Sequence, residues 1–187
     1  MADSSVLLVL DVNGLLLDRR RAPLPERLPD LVTASTYVYL RPFAREFCAW
    51  TLQHFRVGVW SSASERNLVP LVNALFGHLA HQLEFVWGQA QCDTLGVCPG
   101  TRGKPMFTKS LQRVWDRGLG HPRRTLLVDD DKYKARVNPD HTALLPPKGD
   151  AAAPDRVLAY EGKLRWLLSG VAGCIEVPSF LRSCSEH

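Results

Sequence analysis

The feature that most constrains this 187-residue chain is a series of short apolar runs, each ending on a polar residue. Val6 to Leu10 is aliphatic throughout and stops at Asp11. Arg56 to Trp60 stops at Ser61, and Arg124 to Val128 stops at Asp129. An uninterrupted aliphatic run of that length suits a strand buried on both faces, as parallel sheets require.

Segments with helical spacing lie between these runs. Phe43, Phe47, Trp50 and Leu52 predict a helix from Phe43 to His54, with Pro42 at its N1 position. A second helix is expected from Ser64-Glu65 to Phe76, with Pro70 inside it and Gly77 as its C′ stop. Phe107 to Trp115 and Asp155 to Leu168 also read as helices. Tyr37 to Leu40, Glu84 to Trp87 and Thr142 to Leu145 read as further strands, the Gly and Pro of 13–36 rule out a long helix there, and 88–104 reads as irregular. Strands alternating with helices imply an α/β fold: three layers around a mostly parallel, Rossmann-like sheet. Without an internal repeat or a shift in composition, residues 1–187 are expected to form one domain, with a core of about 6–168 and a tail at 170–187.

Composition removes several functional classes. An apolar fraction of 45% excludes general disorder. No apolar stretch approaches the roughly 20 residues of a membrane span. Met1-Ala2-Asp3-Ser4-Ser5 lacks the basic start of a secretion signal and the Arg-rich pattern of a mitochondrial presequence, so a nuclear or cytoplasmic location is expected. Cys48, Cys92, Cys98, Cys174 and Cys184 are odd in number and lack paired spacing, which predicts reduced thiols. No second pair accompanies Cys92 and Cys98 to complete a zinc site. The net charge of +4 concentrates in Arg19-Arg20-Arg21 and Arg123-Arg124, unaccompanied by stacking aromatics, so direct nucleic-acid binding is not expected. Those clusters read as solvated loops or as a docking surface for a phosphorylated or acidic peptide.

In open α/β sheets the ligand site lies beyond the carboxyl ends of the strands. The residues there are Asp11-Val12-Asn13-Gly14, Ser61-Ser62 and Asp129-Asp130-Asp131, with Lys109 in the segment between the last two. A carboxylate can attack phosphorus and carry the group as an acyl phosphate. Magnesium takes hard oxygens from one or two carboxylates together with phosphate and water. A hydroxyl and a lysine can position the remaining phosphate oxygens. Taken singly, each residue has a plainer reading as a cap, a turn residue or a surface charge. Their order along the chain carries the argument. Phosphoacceptor receiver domains use similar residues but place the acidic pair after the first strand and the lysine last, and here the acidic pair comes last.

These segments resemble a known family. Val9-Leu10-Asp11-Val12-Asn13-Gly14-Leu15-Leu16 and Val57-Gly58-Val59-Trp60-Ser61-Ser62 are similar to the first two motifs of the haloacid dehalogenase superfamily. Phe107-Thr108-Lys109-Ser110-Leu111 and Thr125-Leu126-Leu127-Val128-Asp129-Asp130-Asp131 are similar to its lysine and acidic motifs. Tyr39-Leu40-Arg41-Pro42, Phe85 to Cys92, and Asp131-Lys132-Tyr133-Lys134 through Asn138-Pro139 to Ala143 resemble the C-terminal-domain phosphatase homology group, also called nuclear LIM interactor-interacting-factor-like. The likeness is closest to plant members and runs from about Val6 to Leu168.

The resemblance implies the haloacid dehalogenase architecture and a magnesium-dependent phosphatase acting on phosphoserine or phosphothreonine in proteins, like the enzymes that dephosphorylate the RNA polymerase II tail. Carried over, Asp11 is the nucleophile and a metal ligand, and Ser61 and Lys109 hold phosphate. Asp130 ligates the metal, Asp129 contributes charge or orients Lys109, and Asn13 offers its backbone carbonyl to the metal. The short segment between Asp18 and Tyr37 leaves no room for a large cap, which suits a protein substrate. Two departures stand out. Gly88 replaces an aspartate common in relatives, and Asn13 replaces the aspartate that serves them as general acid and base. Asparagine cannot exchange a proton at neutral pH, and losing that help costs about 10²–10⁴-fold, or roughly 3–5 kcal/mol of barrier. Two alternatives therefore accompany the phosphatase reading. One is a non-catalytic phosphate-binding or scaffold protein on the same fold, and the other is a relative of the mitochondrial inner-membrane presequence import receptor.

Overall fold

The computed structural model describes residues 5–33, 36–97, 100, 103 and 105–185. Met1 to Ser4, Cys98 and His187 lie outside them. The chain opens with β1 (Leu7–Leu10), β2 (Leu17–Arg20), β3 (Leu31–Val32) and β4 (Tyr37–Leu40), followed by α1 (Ala44–His54) and β5 (Arg56–Trp60). Then come α2 (Glu65–Phe76), β6 (Phe85–Trp87), β7 (Asp93–Val97), β8 (Pro105–Thr108) and α3 (Gln112–Asp116). The remainder is β9 (Thr125–Val128), α4 (Lys132–Ala135), β10 (Ala143–Leu144), α5 (Lys163–Gly173) and α6 (Val177–Ser185).

Five strands form a parallel sheet in the order β10-β9-β1-β5-β6. The alternation of a strand's side chains explains why β1 is apolar throughout. Leu8 and Leu10 enter the core shared with α1, α2, α5 and α6, while Leu7 and Val9 pack on the other face with Leu111, Val114 and Ala135. Three layers result. Leu10 pairs with Val59 on one side and Val128 on the other, so β1 and β9 end in register, β5 runs one residue further, and Asp11, Ser61 and Asp129 reach the same edge.

Residues 17–40 form a small antiparallel sheet, β2-β4-β3, rather than a cap domain. α2 runs through Pro70, because Leu68, Leu71, Val72, Leu75 and Phe76 bury one continuous face. That burial outweighs a helix-breaking cost of about 3 kcal/mol. Gly77 ends it with a positive φ of 53°.

Three expectations are corrected. Pro42 is not at N1: Phe43 caps α1 in a left-handed conformation (φ 65°), because Ala44 N–H returns to Arg41 O at 3.0 Å and forces the chain to turn. The expected helix from Phe107 to Trp115 is divided. Phe107 and Thr108 belong to β8, which pairs with β7 from the segment read as irregular, and only Gln112–Asp116 is α-helical. The helix expected from Asp155 begins at Lys163, because Asp155 is held by Arg41 and by Val157 N–H in a turn. A Cβ at Gly162 would crowd the carbonyls of that turn. The tail from Gly170, to which the sequence assigns no element, completes α5 and forms α6: Phe180 lies against Gly170, and Val177 and Leu181 join the core.

Candidate active site

Asp11 follows β1 directly, and its N–H donates to Val128 O (2.9 Å), which fixes the carboxylate beside the end of β9. Asp129 follows β9, with its own N–H on Leu144 O and its Oδ1 accepting from Asp131 N–H at 2.9 Å. Two ammonium groups bridge these buried carboxylates. Lys109 Nζ lies 2.7 Å from Asp11 Oδ1 and 2.6 Å from Asp129 Oδ2, and its side chain is 0% exposed. Lys134 Nζ lies 2.6 Å from Asp11 Oδ2, 3.1 Å from Asp129 Oδ1 and 3.8 Å from Asp130 Oδ1.

The backbone sets both lysines. Lys109 follows β8, and its N–H donates to Lys134 O (2.8 Å), tying that strand end to the single turn of α4. Asn138 braces the junction, donating from Nδ2 to Lys109 O and accepting Leu111 N–H at Oδ1. Asp130 approaches Asp11 only because residue 14 is glycine. A Cβ there would overlap the Asp130 carboxylate, and the φ of 93° disfavours any other residue.

Burial penalises every charge in this cluster, and the neighbours decide the outcome. Burial pushes the Asp11 carboxyl up, but Lys109 and Lys134 override it and hold it well below the usual carboxylate range. Asp11 is therefore ionised at neutral pH, the form a nucleophile needs. Burial raises Asp129, with Asp11 adding to the shift against the pull of the lysines. Asp130, pushed up mainly by burial and further by Asp11 and Asp129, reaches about 6. Burial opposes the Lys134 charge, yet Asp11 and Asp129 raise it overall. Three carboxylates against two ammonium groups leave one formal negative charge.

That surplus suits a cation. Oxygens of Asp11, Asp129 and Asp130 lie within 4.8 Å of one another, the hard donor set a divalent ion takes. Asp130 Oδ1 and Asn13 Oδ1 are enclosed without a hydrogen-bond partner, two oxygen acceptors still to be satisfied. The residues present therefore fit magnesium. Of the residues expected at the site, Asp11, Lys109, Asp129 and Asp130 come together in one cluster. Ser61 is buried at the end of β5, its N–H on Trp87 O and its Oγ accepting Ala63 N–H at 3.2 Å. Asn13 is partly buried in the turn that holds Gly14.

Lys134, the glycine beneath Asp130 and the Asn138 brace lie in the quoted motifs, but sequence reasoning assigned them no role at the site. The available signal for Lys134 was a second lysine in the stretch that follows the acidic trio. Gly88 is hemmed in: a Cβ there would sit 3.0 Å from Ala63 O and 3.1 Å from Glu65 Cγ. The basic clusters are largely engaged within the molecule. Arg20 pairs with Asp18 and Asp150, Arg123 pairs with Glu176, and Arg124 donates to the carbonyls of Cys174 and Ile175.

A parallel α/β sheet with an aspartate at the end of its central strand, a buried lysine and an acidic pair beside it is a fold of the haloacid dehalogenase type. More narrowly, the chain belongs to the NLI interacting factor-like phosphatase family, whose profile matches residues 6–170. Among solved structures it is similar to the fission yeast RNA polymerase II CTD phosphatase Fcp1 bound to beryllium fluoride. The TM-score is 0.59 at 9% identity, over 84% of this chain and 46% of that one. A second structure of Fcp1, described as an essential RNA polymerase II CTD phosphatase, gives a TM-score of 0.57 at 9% identity, over 98% of this chain and 53% of that one. At that identity the likeness is one of fold, and this chain spans about half the length of either. No curated protein sequence matches it. Among the described residues, no helix is long and apolar enough to cross a membrane.

Proposed function

We propose that this family member is a magnesium-dependent phosphatase of phosphoserine or phosphothreonine in proteins, slowed by Asn13. The observation that carries the reading is the Asp11 carboxylate, ionised and held between Lys109 and Lys134 at the carboxyl edge of the sheet. Asp11, Asp129 and Asp130 would hold the ion, with the backbone carbonyl of Asn13 as a further oxygen. When bound, it would neutralise phosphate charge and polarise the phosphorus.

In this reading an Asp11 oxygen attacks phosphorus, the bond from phosphorus to the seryl or threonyl oxygen breaks, and an aspartyl phosphate forms. Lys109 and Ser61 keep the phosphoryl oxygens in line for attack. The departing alkoxide needs a proton that the Asn13 amide cannot donate, so it must come from water. Water then attacks the aspartyl phosphate, releasing phosphate and restoring Asp11, and Asn13 cannot take up the proton of that water either. Both steps are slowed. The small β2-β4-β3 sheet in place of a large cap supports a protein substrate over a metabolite. A nuclear or cytoplasmic location belongs to this reading, and recovery of the protein with mitochondria would favour the import-receptor alternative.

Asn13 also supports a second reading, a phosphate-binding scaffold without turnover. Hydrolysis of an aryl phosphate with magnesium separates the two. Wild type should exceed Asp11→Asn, and Asn13→Asp should raise the rate about a hundredfold or more. If all three stay at background while folded, the scaffold reading replaces the phosphatase.

A further inference from the structure

The two lysines divide the carboxylate oxygens between them. Lys109 takes Asp11 Oδ1 and Asp129 Oδ2. Lys134 takes Asp11 Oδ2 and Asp129 Oδ1, and faces Asp130 Oδ1 at 3.8 Å. A divalent ion held by all three aspartates needs one oxygen from each. With Lys109 in place, the oxygens left on Asp11 and Asp129 are the two that Lys134 occupies, the Asp129 oxygen also accepting Asp131 N–H. Magnesium takes its ligands at about 2.0–2.1 Å and repels a second cation at the same lone pairs, so ion and ammonium cannot both hold them.

The lysines also differ in freedom to leave. Lys109 is wholly enclosed, whereas the Lys134 side chain is 12% exposed. The Lys134 backbone is anchored by the Lys109 N–H on its carbonyl and by its own N–H on Asp131 O, so the side chain can swing without unfolding α4.

We propose that Lys134 is a built-in competitor for the divalent cation, filling the cation position in the metal-free protein and swinging to the exposed mouth when magnesium binds. This rests on the magnesium reading above. The competition sets the metal affinity: the site trades one cation for another, and the three buried carboxylates are never left facing only Lys109. Lys134→Met removes the competitor and should bind magnesium about tenfold or more tightly, the scale of one charge withdrawn from a partly buried cluster. Its metal-free melting temperature should fall and should recover with magnesium.

The deciding measurement uses the wild-type protein and does not depend on activity. Acylation by an amine-reactive reagent, read residue by residue by mass spectrometry, should be slow at Lys134 without magnesium and markedly faster with saturating magnesium, while Lys109 stays protected in both. Calorimetric titration of wild type and Lys134→Met with magnesium chloride runs alongside. Magnesium binding to wild type with Lys134 still protected overturns the proposal and leaves the magnesium reading standing, and so does equal or weaker binding by Lys134→Met. Absence of binding to both proteins overturns the magnesium reading and the proposal with it. Binding by Lys134→Met alone supports the proposal in its strongest form.

Discussion

The Asp11–Lys109–Asp129–Lys134 cluster and the Arg41–Asp155 clamp are both largely buried ion networks, and both touch the turn that holds Gly14. They are built differently. Arg41 donates from Nε and Nη2 to Asp155 at 2.8–3.1 Å, from Nη2 to Pro147 O at 2.9 Å and from Nη1 to Leu15 O at 3.1 Å. One guanidinium meets one carboxylate, and neutral carbonyls take its remaining donors. The first cluster keeps a surplus negative charge, an Asp130 oxygen without a hydrogen-bond partner and a carboxyl that titrates near 6. A strut satisfies its own valences. A site leaves some of them for a ligand, and that contrast identifies the chemistry here better than burial does.

The sharpest way to break the contrast is to remove one charge from each network. Asp11→Asn should abolish magnesium-dependent hydrolysis, a loss of more than about 10³-fold, because the amide cannot attack phosphorus. Its melting temperature should fall by less than that of Arg41→Met, since Asp129 still bridges both lysines and Asp130 still faces Lys134. Arg41→Met should do the reverse. Breaking a buried pair costs about 3–5 kcal/mol. The partly exposed Asp155 places the loss near the lower end, roughly 6–12 °C for a domain of this size. Hydrolysis per folded molecule should be preserved. If Arg41→Met removes activity while the fold is intact, or if Asp11→Asn unfolds the protein, the two networks do not divide the work as their hydrogen bonds suggest.

A smaller effect is expected on the metal. Replacing Asp129 and Asp130 together with Asn removes two of three carboxylates and should lower magnesium affinity by more than about tenfold, read by calorimetry. Affinity equal to wild type would detach the acidic trio from metal binding and with it the family-based assignment of the site.

Legibility from sequence followed the same division. A strand buried on both faces has no room for a polar side chain, so Asp11, Ser61 and Asp129 announce the ends of β1, β5 and β9. Register then aligns those ends. The hairpin β7–β8 left no such trace, because Asp93–Val97 is mostly exposed and alternates with nothing. That blind spot is why Lys109 was expected within a helix. Lys134 was invisible for another reason: its position depends on the one turn of α4, too short for periodicity, and on a backbone bond to Lys109. Helix α5 was expected too early because Val157, Leu164 and Leu168 all pack on the core at helical spacings of seven and four, while the turn at Asp155 is dictated by Arg41, which lies 114 residues away in sequence. Local chemistry was readable, and long-range tethering was not.

The smallest expected effect is a pH dependence that only the open cluster should show. Asp130 titrates near 6 in the folded protein, above the ordinary carboxylate value of about 3.9. The native state therefore holds this proton more tightly than the unfolded chain does, and the stability it contributes is present in acid and lost as pH rises through about 6. Asp11 runs the other way: its lowered value contributes stability above the ordinary carboxylate range, lost only on stronger acidification. Between pH 5 and 8 the Asp130 contribution changes, while Asp129, raised mainly by burial, runs in the same direction and is common to both proteins compared. Metal-free wild type should thus lose a little stability across that interval relative to Asp130→Asn, which has no carboxyl to ionise there and cancels the background from histidines. Magnesium should reverse the trend, because it favours the ionised form, and its binding should release protons at pH 6 and almost none at pH 8. Melting curves of the two proteins in parallel, with calorimetry in buffers of different ionisation enthalpy, read both effects. Parallel melting profiles with proton-free binding at pH 6 would mean that Asp130 is already ionised in the metal-free protein, and that the cluster is as closed a network as the Arg41 clamp.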